Sequence, residues 1–120
     1  MSNSAKSVFV FGIYNCILGI AFMIVPNVLL GLFGLPATNE VWIRVTGMIL
    51  FLLSYYYIQA ARKEFTEFFQ WTVYPRASVI VFFIVFVLLD YAPPIQILFG
   101  AIDLLSAIWT HLALRSSTTI

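Results

Sequence analysis

The sequence predicts an all-α polytopic membrane fold: an up-down bundle of four transmembrane helices, with a short amphipathic segment before the third. Three observations predict it. First, 62% of the 120 residues are hydrophobic and 9% are charged, against roughly half and a quarter in soluble domains. A body this small cannot hide so much apolar surface in its own core, so the excess faces lipid. Second, four apolar stretches are each long enough to cross a bilayer, which takes about 20 helical residues. Third, the connections are short, so consecutive helices are antiparallel neighbours. Residues 1–120 read as a single domain.

The first span runs from about Ser7 to Leu30. Its apolar run is too long for a signal-peptide core and no small-residue cleavage site follows, so it is read as an uncleaved span. Pro26 interrupts it, because proline lacks the backbone donor and kinks a helix. Gly34 and Pro36 then stop it. The second span runs from about Glu40 to Ala61 and the third from about Phe69 to Leu89, with Pro75 expected near its first turn, where proline is tolerated. Between them "RKEFTEFFQ" is amphipathic and is expected to lie along the membrane surface. The fourth span begins at Pro93-Pro94 and ends near Leu114.

Lysine and arginine placement sets the expected orientation. Lys6, Arg62, Lys63 and Arg115 fall on one side and only Arg44 toward the other, so both termini are expected in the cytoplasm. Trp71 and Trp109 would then mark the inner interface, and Trp42 and Tyr91 the outer one. The formal net charge of +1 offers no basic surface for nucleic acid. One histidine and one cysteine supply neither a zinc ligand set nor an internal disulfide, so no metal or cofactor is expected and Cys16 is read as a free thiol.

Polar and small residues three or four apart share a helix face. Span one gives Gly12, Asn15, Cys16 and Gly19; span two gives Glu40, Arg44, Gly47, Phe51, Ser54 and Tyr55. Span three gives Thr72, Arg76, Phe83 and Asp90; span four gives Gln96, Gly100, Asp103, Ala107, Thr110 and His111. Such faces should meet inside a bundle, since small residues allow close approach and polar ones need partners there. Asp103 lies roughly 15 Å into its span, near the midplane. A lone charge in hydrocarbon costs about 3 kcal/mol on insertion scales. The expectation is therefore a buried cluster of Asp103, Arg76, Arg44 and Asn15, with Tyr55 or Tyr14 supplying a hydroxyl. The same residues also admit a plain reading, an ion pair that only fixes helix register. His111 reads as an interfacial hydrogen-bonding group, and Glu64 and Glu67 as a solvated face. Of Tyr55, Tyr56 and Tyr57, only Tyr55 falls on the inward stripe.

These segments, "PNVLLGLFGLP", "WIRVTGMILFLLSYYYIQAAR", "TVYPRASVIVFF" and "GAIDLLSAIWTHLALR", resemble the small bacterial four-span proteins of the DoxX-like superfamily. The resemblance spans nearly the whole chain. It rests on an Arg-x-x-Gly opening to span two (Arg44, Gly47), an arginine early in span three (Arg76) and an acid in span four (Asp103). It implies a bacterial inner-membrane protein. Some members are linked to thiol-stress systems, but a thiol relay needs a second cysteine, which this chain lacks.

Three functions stay open. One is a binding module that holds a small anionic, amphipathic or hydrophobic ligand in the Asp/Arg cluster. A second is a structural or accessory subunit, as a homo-oligomer or otherwise, in which the pair only fixes packing. A third is an isomerase-like enzyme acting on a hydrophobic substrate. A single carboxylate beside arginine stays ionised, which argues against a general acid and so against the enzyme.

Overall fold

A computed structural model describes residues 1–118, with side chains described as far as Ser116. The described residues are all-helical: α1 (Asn3–Ile24), α2 (Pro26–Leu32), α3 (Val41–Arg62), α4 (Thr66–Leu88) and α5 (Gln96–Thr118). Four of these, all but the seven-residue α2, are long and apolar enough to cross a membrane. That is the fold class the sequence predicts.

The breaks follow backbone chemistry. Pro26 has no N–H to continue α1, and its fixed φ suits the first turn of α2. Pro93 and Pro94 stand just before α5, and their carbonyls accept the N–H groups of Gln96 and Ile97 at 3.0 and 3.1 Å. Three helices close with the same left-handed cap, in which a residue at positive φ lets two N–H groups turn back onto the final carbonyls. After α2 that residue is Gly34 (φ 72°), with Leu35 N–H on Leu30 O at 2.9 Å. After α3 it is Glu64 (φ 54°), with Phe65 N–H on Ala60 O at 3.0 Å. After α4 it is Asp90 (φ 61°), with Tyr91 N–H on Phe86 O at 2.8 Å.

Two boundaries differ from the sequence reading. The stretch "RKEFTEFFQ" is not a separate surface helix: Arg62 ends α3, Lys63–Phe65 make the turn, and α4 already starts at Thr66. Pro75 consequently lies inside α4 rather than in its first turn. The Pro75 carbonyl accepts the Ser78 hydroxyl at 2.7 Å, and the helix runs on.

The chain forms two compact units. The first comprises Met1–Val8 and the chain from Ala60 onward; the second is Phe9–Gln59. In the first unit α4 packs along α5. Gly100 allows it: a Cβ there would stand 2.7 Å from Ile80 Cα. In the second unit α1 and α3 meet backbone to backbone. A Cβ on Gly19 would lie 2.6 Å from the Gly47 carbonyl oxygen, and one on Gly47 2.6 Å from that of Gly19. Close contact through small residues is how helices associate where lipid removes the hydrophobic drive. Phe11 adds an edge-on ring contact with Tyr57 at 5.4 Å.

Candidate binding site

The buried polar residues of the first unit, Ser4, Ser7, Thr72, Arg76 and Thr110, are gathered at one end. Phe69, Thr72, Val73 and Arg76 are the buried residues of α4, at the i, i+3, i+4, i+7 spacing of a single face. Arg76 is only 3% exposed. Its Nη1 donates to Thr110 Oγ1 at 3.1 Å and to Thr72 Oγ1 at 3.3 Å. Thr110 is fully buried and shares a 2.6 Å bond with Ser7, whose hydroxyl donates to Ser4 O at 2.6 Å. Each hydroxyl has one proton. The shortest bonds therefore order the chain as Arg76 to Thr110 to Ser7 to the Ser4 carbonyl, joining α4, α5 and the first turns of α1. A charge at the head of such a chain polarises and strengthens each link.

The four residues of the expected cluster are divided between the two units. Asp103 is half-buried on α5 and belongs to the same unit as Arg76. No salt bridge forms among the described residues, and the Arg76 bonds to the two threonines both come from Nη1. Arg44 belongs to the second unit, where its Nη1 donates to the Met23 carbonyl near the end of α1. Pro26 has ended that helix, which leaves its last carbonyls in need of donors. Asn15 is buried, 4% exposed, on the predicted α1 face of the second unit.

Tyr55 is a correction. It is 61% exposed, and its ring meets Tyr56 edge-on at 6.0 Å. The buried line of α3 passes through Gly47, Ser54 and Ala61, seven residues apart, and one residue further turns the side chain about 100° away. Tyr57, not Tyr55, turns onto Phe11. Tyr14 lies half-buried beside Phe11, ring centroids 6.0 Å apart.

Next to the Arg76 network the first unit carries a groove of about 300 Å³ between α4 and α5. Gln70 and Tyr74 line one wall, and His111 and Arg115 the other. Each pair is spaced i, i+4, so each wall presents two polar groups one turn apart. The floor is Val73 and Leu114, which are 9% and 7% exposed. Of these residues the sequence reading placed His111 alone on an inward face and used Arg115 only for orientation. The missed signal is the pairing of Gln70 with Tyr74 and His111 with Arg115 at helix ends that meet. Among the described residues no group of three His, Cys, Asp or Glu side chains is placed to hold a metal ion.

The same end holds the start of α1 and the α3–α4 turn. Glu64 accepts the Ser2 N–H at 2.5 Å and the Ser2 hydroxyl at 2.8 Å. Those bonds, the backbone one first, hold its carboxyl below the ordinary glutamate value. Trp109 Nε1 donates to Asn3 Oδ1 at 3.3 Å. Comparison with family models, with curated proteins and with solved structures gives no match for this chain.

Proposed function

We propose that this chain is a small integral membrane protein that binds a small anionic or amphipathic molecule, at the polar end of its first unit. The observation that supports the reading is the groove between α4 and α5, with a cationic and hydrogen-bonding rim over an apolar floor. Ligand sites combine those features: apolar lining with a few convergent polar groups. Lysine and arginine placement supports a cytoplasmic position for this end, since Lys6, Arg62, Lys63 and Arg115 all belong to it, and the resemblance to DoxX-like proteins supports a bacterial inner membrane. The test is mass spectrometry of small molecules released from gently purified protein. An anionic amphiphile should co-purify with the wild type and be lost from His111→Gln/Arg115→Gln. A wild type that carries none would end this reading.

A second reading has its own support. The Arg76–Thr110–Ser7 chain joins three helices with buried hydrogen bonds, which is what a structural or accessory subunit needs to fix helix packing. On that reading, Ser7→Ala and Thr110→Val each lower thermal stability, and the double variant loses less than the sum because both break the same link.

A further inference from the structure

We propose that the groove between α4 and α5 takes a phosphate-bearing headgroup, its ester substituent leaving toward the lipid. This deepens the binding reading above and rests on it.

Size is the first argument. About 300 Å³ is the lower end of the range for small-molecule sites, roughly 300–1,000 Å³. It accommodates a headgroup, with an acyl chain running outside along the helices.

The donor set is the second argument. The rim offers a guanidinium fork at Arg115, a ring N–H at His111, a carboxamide at Gln70 and a phenol at Tyr74. Among the described residues no carboxylate lines the groove. Four donors arriving from two facing walls suit a tetrahedral oxyanion, whose oxygens point in several directions. A carboxylate presents two oxygens in one plane and would leave one wall unused. Arginine's planar fork matches phosphate in a bidentate manner. The α5 macrodipole is negative at this end and the α4 macrodipole positive, so the two oppose each other. The Arg115 guanidinium must therefore supply the attraction, through charge-assisted bonds.

Depth is the third argument. The groove lies in the first turns of α4 and the last of α5. Trp71 and Tyr74 are 63% and 79% exposed there, as amphipathic rings are at headgroup level. Four of the chain's six lysines and arginines, Lys6, Arg62, Lys63 and Arg115, belong to this end. A headgroup phosphate stands at that depth already.

The experiment uses the full chain in mild detergent, with native mass spectrometry of lipid adducts. Probes are phosphatidylglycerol, phosphatidylcholine and oleate, with glycerol 3-phosphate as a soluble competitor. Phosphatidylglycerol should bind in preference to phosphatidylcholine, whose own ammonium competes for the phosphate, and to oleate. His111→Gln/Arg115→Gln should weaken that binding about tenfold or more. Both side chains are exposed, so the fold should persist, as circular dichroism would verify. Tyr74→Phe, which removes only a hydroxyl, should weaken it severalfold. Arg62→Gln, at the same end but outside the groove, should leave it unchanged. If glycerol 3-phosphate displaces the lipid, the phosphate site stands and its source is a soluble phosphoester. If oleate alone binds in a groove-dependent way, the phosphate assignment fails while the anion-binding function survives. Equal binding by wild type and the double variant, or an equal loss in Arg62→Gln, overturns the groove itself.

Discussion

Glu64 takes both hydrogens that Ser2 offers, its backbone N–H and its hydroxyl, while the Ser2 oxygen accepts the Ala5 N–H at 3.1 Å. The start of α1 is thus capped twice, once from within by a serine and once by a carboxylate from the α3–α4 turn. Glu64 does this from a left-handed backbone conformation that costs any residue with a Cβ. Glycine, the usual occupant of that cap position, would lose the carboxylate. Two variants separate the effects. Glu64→Ala keeps the backbone strain and loses the bond; Glu64→Gly loses both. Thermal melting in detergent should therefore rank wild type above Glu64→Gly, and Glu64→Gly above Glu64→Ala. An alanine variant as stable as the glycine one would show that the turn is not strained.

The same contact makes a pH prediction. The Ser2 hydrogen bonds favour the ionised carboxylate and lower the Glu64 value from its ordinary 4.5. A lowered acid stabilises the folded state fully above its unfolded value, and that contribution disappears as pH falls through the folded one. Melting curves of the wild type should lose stability below about pH 4.5 relative to Glu64→Gln, whose amide does not titrate. Parallel pH profiles for the two proteins would contradict the assignment.

Gly19 and Gly47 should tolerate no side chain. An added Cβ at either meets backbone atoms at 2.6 Å, and backbone cannot swing aside as a flexible side chain can. Forced separation of packed helices costs about 1–3 kcal/mol. Gly47→Ala and Gly19→Ala should each lower the melting temperature clearly. Gly31→Ala is the control: nothing lies within 4 Å of its Cβ position, and alanine favours helix by about 0.5–1 kcal/mol. That variant should be neutral or slightly more stable.

How much of this was legible depends on which force set each feature. The spans were legible, because the need to match hydrocarbon thickness with apolar residues leaves a strong mark on the sequence. Helix ends were less so: Asp90 and Glu64 sit where glycine is expected, and their choice depends on caps invisible in a hydropathy pattern. Arg76 and Thr110 both fell on the predicted inward faces, yet their pairing was missed. A buried arginine suggests a carboxylate partner, whereas threonine is unremarkable in a membrane helix. Tyr55 failed on phase. In a run of three tyrosines a single residue shift exchanges inside for outside, and only the Gly47–Ser54–Ala61 line fixes which one turns in. Gln70 and Tyr74 were illegible for another reason: polar groups near a helix end read as ordinary interface until a second helix places His111 and Arg115 opposite them.

Arg44 makes a separable prediction, because its partner is a backbone carbonyl and not an acid. It donates to Met23 O within the last turn of α1, where a cation also favours the negative end of the macrodipole. A hydrogen bond from a charged group contributes about 1.5–3 kcal/mol. Arg44→Met should destabilise by about that amount, and Arg44→Lys by less, since an ammonium can still donate. The loss should be the same in an Asp103→Asn background, because additivity holds where residues share no partner. Strong coupling between the two changes in a double-mutant cycle would restore the original cluster.

Thr110 is the position where a one-atom change should have the largest effect. It is fully buried, and its oxygen joins Arg76 on one side to Ser7 on the other. Thr110→Val keeps the shape but removes the group that both neighbours use. Hydrogen bonds between membrane helices average about 0.6 kcal/mol and reach about 1.7. This one is charge-assisted and feeds a second bond, which places it at the upper end. A loss of about 1.5–3 kcal/mol is therefore expected for Thr110→Val, measured by denaturation in mixed micelles. Thr72→Val should cost less, because its bond to Arg76 is longer, at 3.3 Å. Ser7→Ala should couple to Thr110→Val, the double variant losing less than the sum, since each single change already breaks the same link. Full additivity of those two losses would mean that the hydroxyls do not form one chain, and the structural reading of the network would lose its support.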